Sequence, residues 1–331
     1  MISTDRPLSI GLMVYNGEEH LAEQIESLLR QTFDHFDLII GDNASTDRTE
    51  EICRDFAARD RRIRYIRRDR NYGATQNANL LFGVAQSRYF KFAAHDDVHA
   101  PNYLERCIAV LEDRPEFILC HTGTVLIGQH GERLPRDTTT GQFIDWSGRG
   151  WPLDPPERRI GSVEPHERYH DILHRTKLAS EFWGVMRRDA LARTPLLRSY
   201  FGSDRPLLAC LALQGRFHVV PEELFYLRRH PAHATSQSMR ERAEVVIPAA
   251  PLTLRMSSAL VYRDFGRALV EADVSTVEKL RCLRSWLALV GSRDTLRKVF
   301  LPGRYNVFGI ELRRRSKNAE VTPGPGGRRR H

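Results

Sequence analysis

Between residues 8 and 128 the sequence repeats one pattern four times: a short β-rich apolar run, a polar cluster, and a longer amphipathic segment. The spacing predicts strands over residues 8–14 (LSIGLMV), 36–40 (FDLII), 63–66 (IRYI), 89–93 (YFKFA) and 117–126 (FILCHTGTVL). It predicts helices over 18–31, where Leu21, Ile25, Leu28 and Leu29 share one face, and over 47–59, where Ile52 and Phe56 do. Residues 75–85 and 102–111 also read as helices, the second announced by Pro101. Strand and helix in strict alternation imply an α/β fold, a doubly wound and mostly parallel sheet with right-handed crossovers.

In such sheets ligands bind outside the carboxyl ends of the strands, and there the polar residues gather. Tyr15, Asn16, Gly17 and Glu18 follow the first strand, Gly41 to Asp47 the second, Arg70 to Gly73 the third, and His95, Asp96 and Asp97 the fourth. Two adjacent carboxylates at the mouth of an apolar strand repel each other and are costly to desolvate, so a compensating cation is expected. Mg²⁺ or Mn²⁺ fits, since each takes one or two carboxylates and leaves room for water and phosphate. The alternative is that Asp96 and Asp97 cap the helix near Pro101. Thr46 or Asp47 suits an N-cap, whereas Asp42, ending its strand, faces the ligand cleft. Asn16 and Glu18 suit either capping or ligand contact. Neither GxxxxGK[ST] nor GxGxxG is present, which counts against a P-loop kinase and a nicotinamide dehydrogenase.

The second half is less regular. Residues 129–165, rich in Gly, Pro and Arg, read as a long loop. Residues 182–188 read as a strand, 204–214 as a buried helix and 217–229 as a strand pair broken at Pro221. Residues 240–300 read as mainly helical, with Leu280, Leu283, Trp286, Leu287 and Val290 at helical spacing. The organisation expected is one domain in two halves (1–128 and 129–238), a helical extension (239–312) and a basic, disordered tail (313–331). The 331 residues carry a formal charge of +8, of which seven Lys or Arg against one Glu beyond residue 312 supply six. A body left at +2 is no strong polyanion trap, so specific nucleic-acid binding is not expected. The five cysteines form no CxxC pair, and no apolar run approaches the roughly 18 residues that span a bilayer. A cytoplasmic location follows as the expectation.

Four ordered motifs, SIGLMVYNGEEHLAEQIESLLRQT, LIIGDNASTDRT, RDRNYGATQNAN and KFAAHDD, resemble the family 2 glycosyltransferases of GT-A fold. The resemblance is strong over about the first 130 residues and fades towards residue 240. It implies that Tyr15, Asn16, Glu18 and Asp42 flank the nucleotide base of a nucleotide-sugar donor, with Asn43 and Ser45 beside it. Asn71, Gly73 and Asn79 match the segment along the nucleotide. Asp96 and Asp97 match the DxD-type motif, Asp96 touching ribose or metal and Asp97 ligating the metal that bridges the diphosphate. Asp204 matches the catalytic base, and His230 a late metal or phosphate contact. Ala94, Ala78 and Ser203 depart from the family's usual Asp, Arg and Glu.

Sugar transfer requires the leaving charge to be neutralised and the acceptor hydroxyl to lose its proton, tasks for a metal on Asp97 and for Asp204. The reading is a metal-dependent inverting transferase, UDP the favoured nucleotide, acting on a glycan or lipid-linked acceptor. Phe182 and Trp183 read either as an aromatic wall for the acceptor or as core. His230 and His233 have a plainer reading as surface-loop histidines. A nucleotidyltransferase would need a Gly-rich loop after the first strand, which YNGEEH is not. A non-catalytic basic adaptor would bind phosphate non-specifically. Trp286, Leu287, Phe300 and Tyr305 before the basic end suit contact with anionic lipid, against the alternative of a solvated tail.

Overall fold

β1 (Leu8–Val14) buries side chains on both faces, as a strand at the centre of a covered sheet must. The computed structural model describes residues 6–155, 157–231, 257–293 and 295. β1 pairs in parallel with β2 (Phe36–Asp42) and β4 (Tyr89–Ala94), and β2 with β3 (Ile63–Arg67). The crossovers are α1 (Leu21–Leu29), α2 (Thr49–Arg59) and α3 (Ala74–Val84). After the two-residue β5 (Val98–His99), α4 (Tyr103–Asp113) leads to β6 (Phe117–Ile127). These elements fall where the apolar periodicity puts them, with β2 running two residues further, through Asp42.

The later elements differ more. Residues 129–165 hold a small hairpin, β7 (Phe143–Ile144) and β8 (Gly150–Trp151), whose Phe143 and Trp151 are buried against the sheet. α5 (Pro165–His174) follows, then a 3-10 turn (Ser180–Trp183) and β9 (Val185–Arg187). The strand expected at 182–188 is therefore half turn, and its remaining three residues lie mid-sheet, antiparallel to both β4 and β6. α6 (Arg188–Ala192) and α7 (Asp204–Gln214) lead to β10 (Arg216–Arg228). In place of the expected strand pair, β10 is one strand parallel to β6, with register shifts around Pro221 and Glu222. Proline lacks the ladder N–H and is tolerated at a bulge. Opposite it, Gly123 leaves room, since a Cβ there would stand 3.0 Å from the Glu222 carbonyl oxygen. The sheet order is β3-β2-β1-β4-β9-β6-β10-β5.

Each sheet face is covered. α1, α2 and α4 bury Leu21, Ile25, Cys53 and Leu104 on one side. On the other, Leu81 of α3, Tyr169 of α5 and Leu208 of α7 form a core with Phe265 of α8 (Ser257–Glu271). α9 (Thr276–Val290) packs on α5 and α8. No helix among the described residues is long and apolar enough to cross a membrane. The expected tail, His233, Phe300 and Tyr305 lie outside the described residues.

Candidate active site

The loops after β1, β2 and β3 brace one another. Asn16 takes a left-handed φ of 50°. Its N–H donates to Ser45 Oγ (2.9 Å), and its Oδ1 accepts from the Thr46 N–H (2.9 Å). Glu18 Oε2 accepts from the Arg48 N–H (3.0 Å), and the Glu18 N–H donates to Asp47 Oδ2 (3.1 Å). Asn16 and Glu18 thus secure the neighbouring loop rather than cap α1. Gly17 has no space for a side chain, since its Cβ would lie 2.7 Å from the His95 ring.

Asp42 is wholly buried. Its Oδ1 accepts from the Ser45 N–H (2.9 Å), and its Oδ2 accepts from Tyr65 Oη (2.7 Å) and Arg67 Nη1 (3.2 Å). This geometry makes Asp42 the anchor that fixes the loop's shape. The Asn43 amide donates to Asn71 Oδ1 (2.6 Å), which also accepts from the Gly73 N–H (2.8 Å). Gly73, at φ 87°, turns the chain into α3. Tyr15, half-buried, follows β1 directly. Asn79 stands apart: both ends of its amide bind the Leu197 backbone (2.7 and 3.1 Å), tying α3 to the segment before α7.

The second cluster lies at the mouth of β4, where Asp96 and Asp97 are both buried. Asp97 Oδ1 accepts from the Arg228 N–H (3.0 Å), while Arg228 Nε donates to the Asp96 carbonyl (2.7 Å). Arg228, 1% exposed, also donates to the carbonyls of Gly128 (3.1 Å) and Gln129 (2.8 Å) and to Glu23. Asp96 Oδ2 lies 3.1 Å from His230 Nε2. His230 is therefore buried against an acid and is not a surface-loop histidine. His20 meets it edge-on with ring centroids 5.0 Å apart, and burial followed by the Arg228 charge pushes His20 down to about 4.

Burial first, then the Asp96 charge, push the Asp97 carboxyl far above the usual carboxylate range, against the Arg228 amide, Arg229 and Lys91. Neither acid's described bond goes to α4, and Asn102 leads into that helix without a side-chain cap. A buried carboxylate of raised proton affinity beside a second one fits a hard divalent cation. Arg229 is buried with its guanidinium 4.4 Å from the Trp151 ring centre, so β8 closes over the cluster. A separate group, Glu164, His166 and Glu278, joins α5 to α9 and is compensated by Arg281.

Asp204 opens α7, whose far end leads into the start of β10, so it points towards the same rim as the loops. Burial raises its carboxyl, opposed by Arg205. Elsewhere in this half of the chain, buried Arg158 binds Asp154 (3.0 Å), Thr176 Oγ1 (2.7 Å) and Glu181. The 3-10 turn is held by its Trp183 carbonyl, which accepts from Lys91 Nζ and from Tyr103 Oη (3.0 Å). Phe182 stacks on Phe92 at 4.8 Å and belongs to the core. The sequence reading missed Arg228, Arg229, Trp151 and Lys91. Their one visible signal was the double arginine beside His230 in LRRHP.

Residues 9–191, more than half the chain, match the family model of glycosyl transferase family 2. The chain is 30% identical over 107 residues to glycosyltransferase GlyG of Streptococcus pneumoniae, covering 32% of this chain and 36% of GlyG. It is 33% identical over 130 residues to putative glycosyltransferase EpsE of Bacillus subtilis, covering 39% and 47%. The chain thus spans about a third to a half of the length of these curated relatives. Among solved structures, S. aureus TarS 1-349 in complex with UDP-GlcNAc aligns over 89% of this chain and 75% of that chain, with a TM-score of 0.62 and 16% identity. That likeness is one of fold, of GT-A type. The three bracing loops and the β4 acids all fall within the matched span, and the chain belongs to glycosyl transferase family 2.

Proposed function

We propose that the protein is a metal-dependent, inverting glycosyltransferase that moves a sugar from a UDP-sugar to the hydroxyl of a glycan or lipid-linked acceptor. The observation that carries this reading is the buried Asp96–Asp97 pair at the mouth of β4, clamped by Arg228 and faced by His230. The solved complexes of TarS with UDP and UDP-GlcNAc support a uridine nucleotide on this fold. Asp97 and Asp96, with His230 on Asp96, would hold Mn²⁺ or Mg²⁺. When bound, the cation neutralises charge on the diphosphate as a Lewis acid.

The chain's own residues do the rest. Asn16, Glu18, Asn43, Ser45, Asn71 and Gly73 form the wall for the nucleotide, and Asp42 keeps that wall in shape. Asp204 takes the acceptor hydroxyl proton as the oxygen bonds to the anomeric carbon. The bond from that carbon to the diphosphate oxygen breaks, and the electron pair leaves with the nucleoside diphosphate. One displacement inverts the anomeric centre. A carboxyl raised by burial is a stronger base than an exposed aspartate, which suits this role. Calorimetric titration of UDP with and without Mn²⁺ tests the assignment. Affinity should depend on the metal in the native protein and lose that dependence in Asp97→Ala, and an unchanged titration in the variant would overturn the metal site.

A further inference from the structure

We propose that α9 docks the protein on a bilayer surface carrying anionic lipid, through an apolar stripe that faces away from the fold. The inward side of α9 is Cys282, Trp286 and Leu289. Cys282 is fully buried, and Trp286 donates from Nε1 to the Tyr262 carbonyl (2.8 Å) with its ring over Gly266. Trp286, expected from the sequence to meet lipid, is thus committed to the interhelical contact. The opposite side carries Val277, Leu280, Leu283 and Leu287, exposed by 59, 57, 36 and 54%. Steps of three, three and four residues keep them on one helical face. Val270, at the end of α8, is 74% exposed.

A contiguous exposed apolar strip marks a contact surface, and charge selects the partner. Arg284 is exposed on the same helix, Arg281 is exposed but paired with Glu278 and Glu164, and Lys279 is part-exposed. From residue 291 onwards the sequence has eleven Lys and Arg against three Asp and Glu. That excess of eight equals the whole chain's net charge, so residues 1–290 balance at thirty-nine of each sign. A second copy would bring like charges together at this face, whereas an anionic surface accepts both the leucines and the basic residues. With no described helix long enough to span a membrane, α9 lies on the surface.

Sedimentation of the full chain with phosphatidylcholine vesicles, alone or mixed with phosphatidylglycerol, tests the proposal. The native protein should sediment with the mixed vesicles and remain soluble with the neutral ones. Leu280→Gln/Leu287→Gln and, separately, Arg313→Gln/Arg314→Gln/Arg315→Gln should each weaken binding at least about fivefold. Both should keep the native UDP titration, which shows that they fold. Native-level binding by the leucine variant, no preference for anionic vesicles, or no binding at all would overturn the proposal. So would light scattering that finds a native dimer dissociated by the leucine substitutions, which would assign the stripe to a second copy.

Discussion

Asp204 is half-buried and Lys91 fully buried, and desolvation moves them in opposite directions: the acid upward, the amine down to about 7. For Asp204, Asp204→Asn keeps the shape and removes the base. Turnover should fall by about 10²–10⁴-fold, with the donor constant unchanged. Rate and KM measured together check this, and near-normal turnover would remove Asp204 from the reaction. For Lys91 the sign follows from linkage. Its ordinary value is 10.5, so the folded protein favours the neutral amine, and stability is lost as pH falls from about 10.5 through 7. Lys91→Met has no proton to take up. Relative to the native protein it should gain up to about 1.4 kcal/mol per pH unit over that window. Urea unfolding at several pH values reads the difference, and parallel curves would mean that Lys91 is charged in the fold.

At the scale of the element, the candidate site's loops on β1 to β4 were legible because each follows an apolar strand that periodicity marks. What escaped is on elements whose sequence carries no period. β9 lies inside the stretch read as one strand, but its three residues are too few for alternation to set it apart from the 3-10 turn before it, and it joins the two parallel blocks of the sheet. The bulge at Pro221 reads in sequence as a break, although the strand continues to Arg228. Arg228 escaped for a related reason: arginine is ordinarily exposed, and only Glu23, the acid loop, Gly128 and Gln129, arriving from distant parts of the chain, give its guanidinium partners. Arg228→Met should leave those carbonyls unsatisfied and cost roughly 2–4 kcal/mol in chemical denaturation. It should also weaken Mn²⁺-dependent UDP binding, because the Asp96 carbonyl loses its Nε donor, although the backbone N–H to Asp97 remains. Arg228→Lys should recover the charge without the planar fork, and so only part of both effects. Full recovery by lysine would show that charge alone matters at this position.

The family match ends at residue 191, but the structure does not divide there. β10 completes the sheet between β6 and β5 and carries Arg228 to the acids. α8 then closes the opposite face: Phe265 is fully buried, and its carbonyl accepts from Tyr169 Oη (2.8 Å). Asp264 Oδ2 accepts from Tyr200 Oη (2.6 Å) and faces Arg198 (3.3 Å), on the same segment that Asn79 holds through Leu197. A chain of contacts therefore runs from α3, beneath the braced loops of the candidate site, to the C-terminal helices. If it makes one cooperative unit, a cavity in α8 must destabilise the whole molecule. Phe265→Ala should cost about 3–5 kcal/mol, with tryptophan fluorescence and far-UV circular dichroism falling in a single coincident transition. UDP binding should disappear in that same transition. An early loss of helical signal with UDP binding intact would mark α8 and α9 as a separately folding appendage, and would leave the apolar stripe of α9 on a part that moves independently of the site.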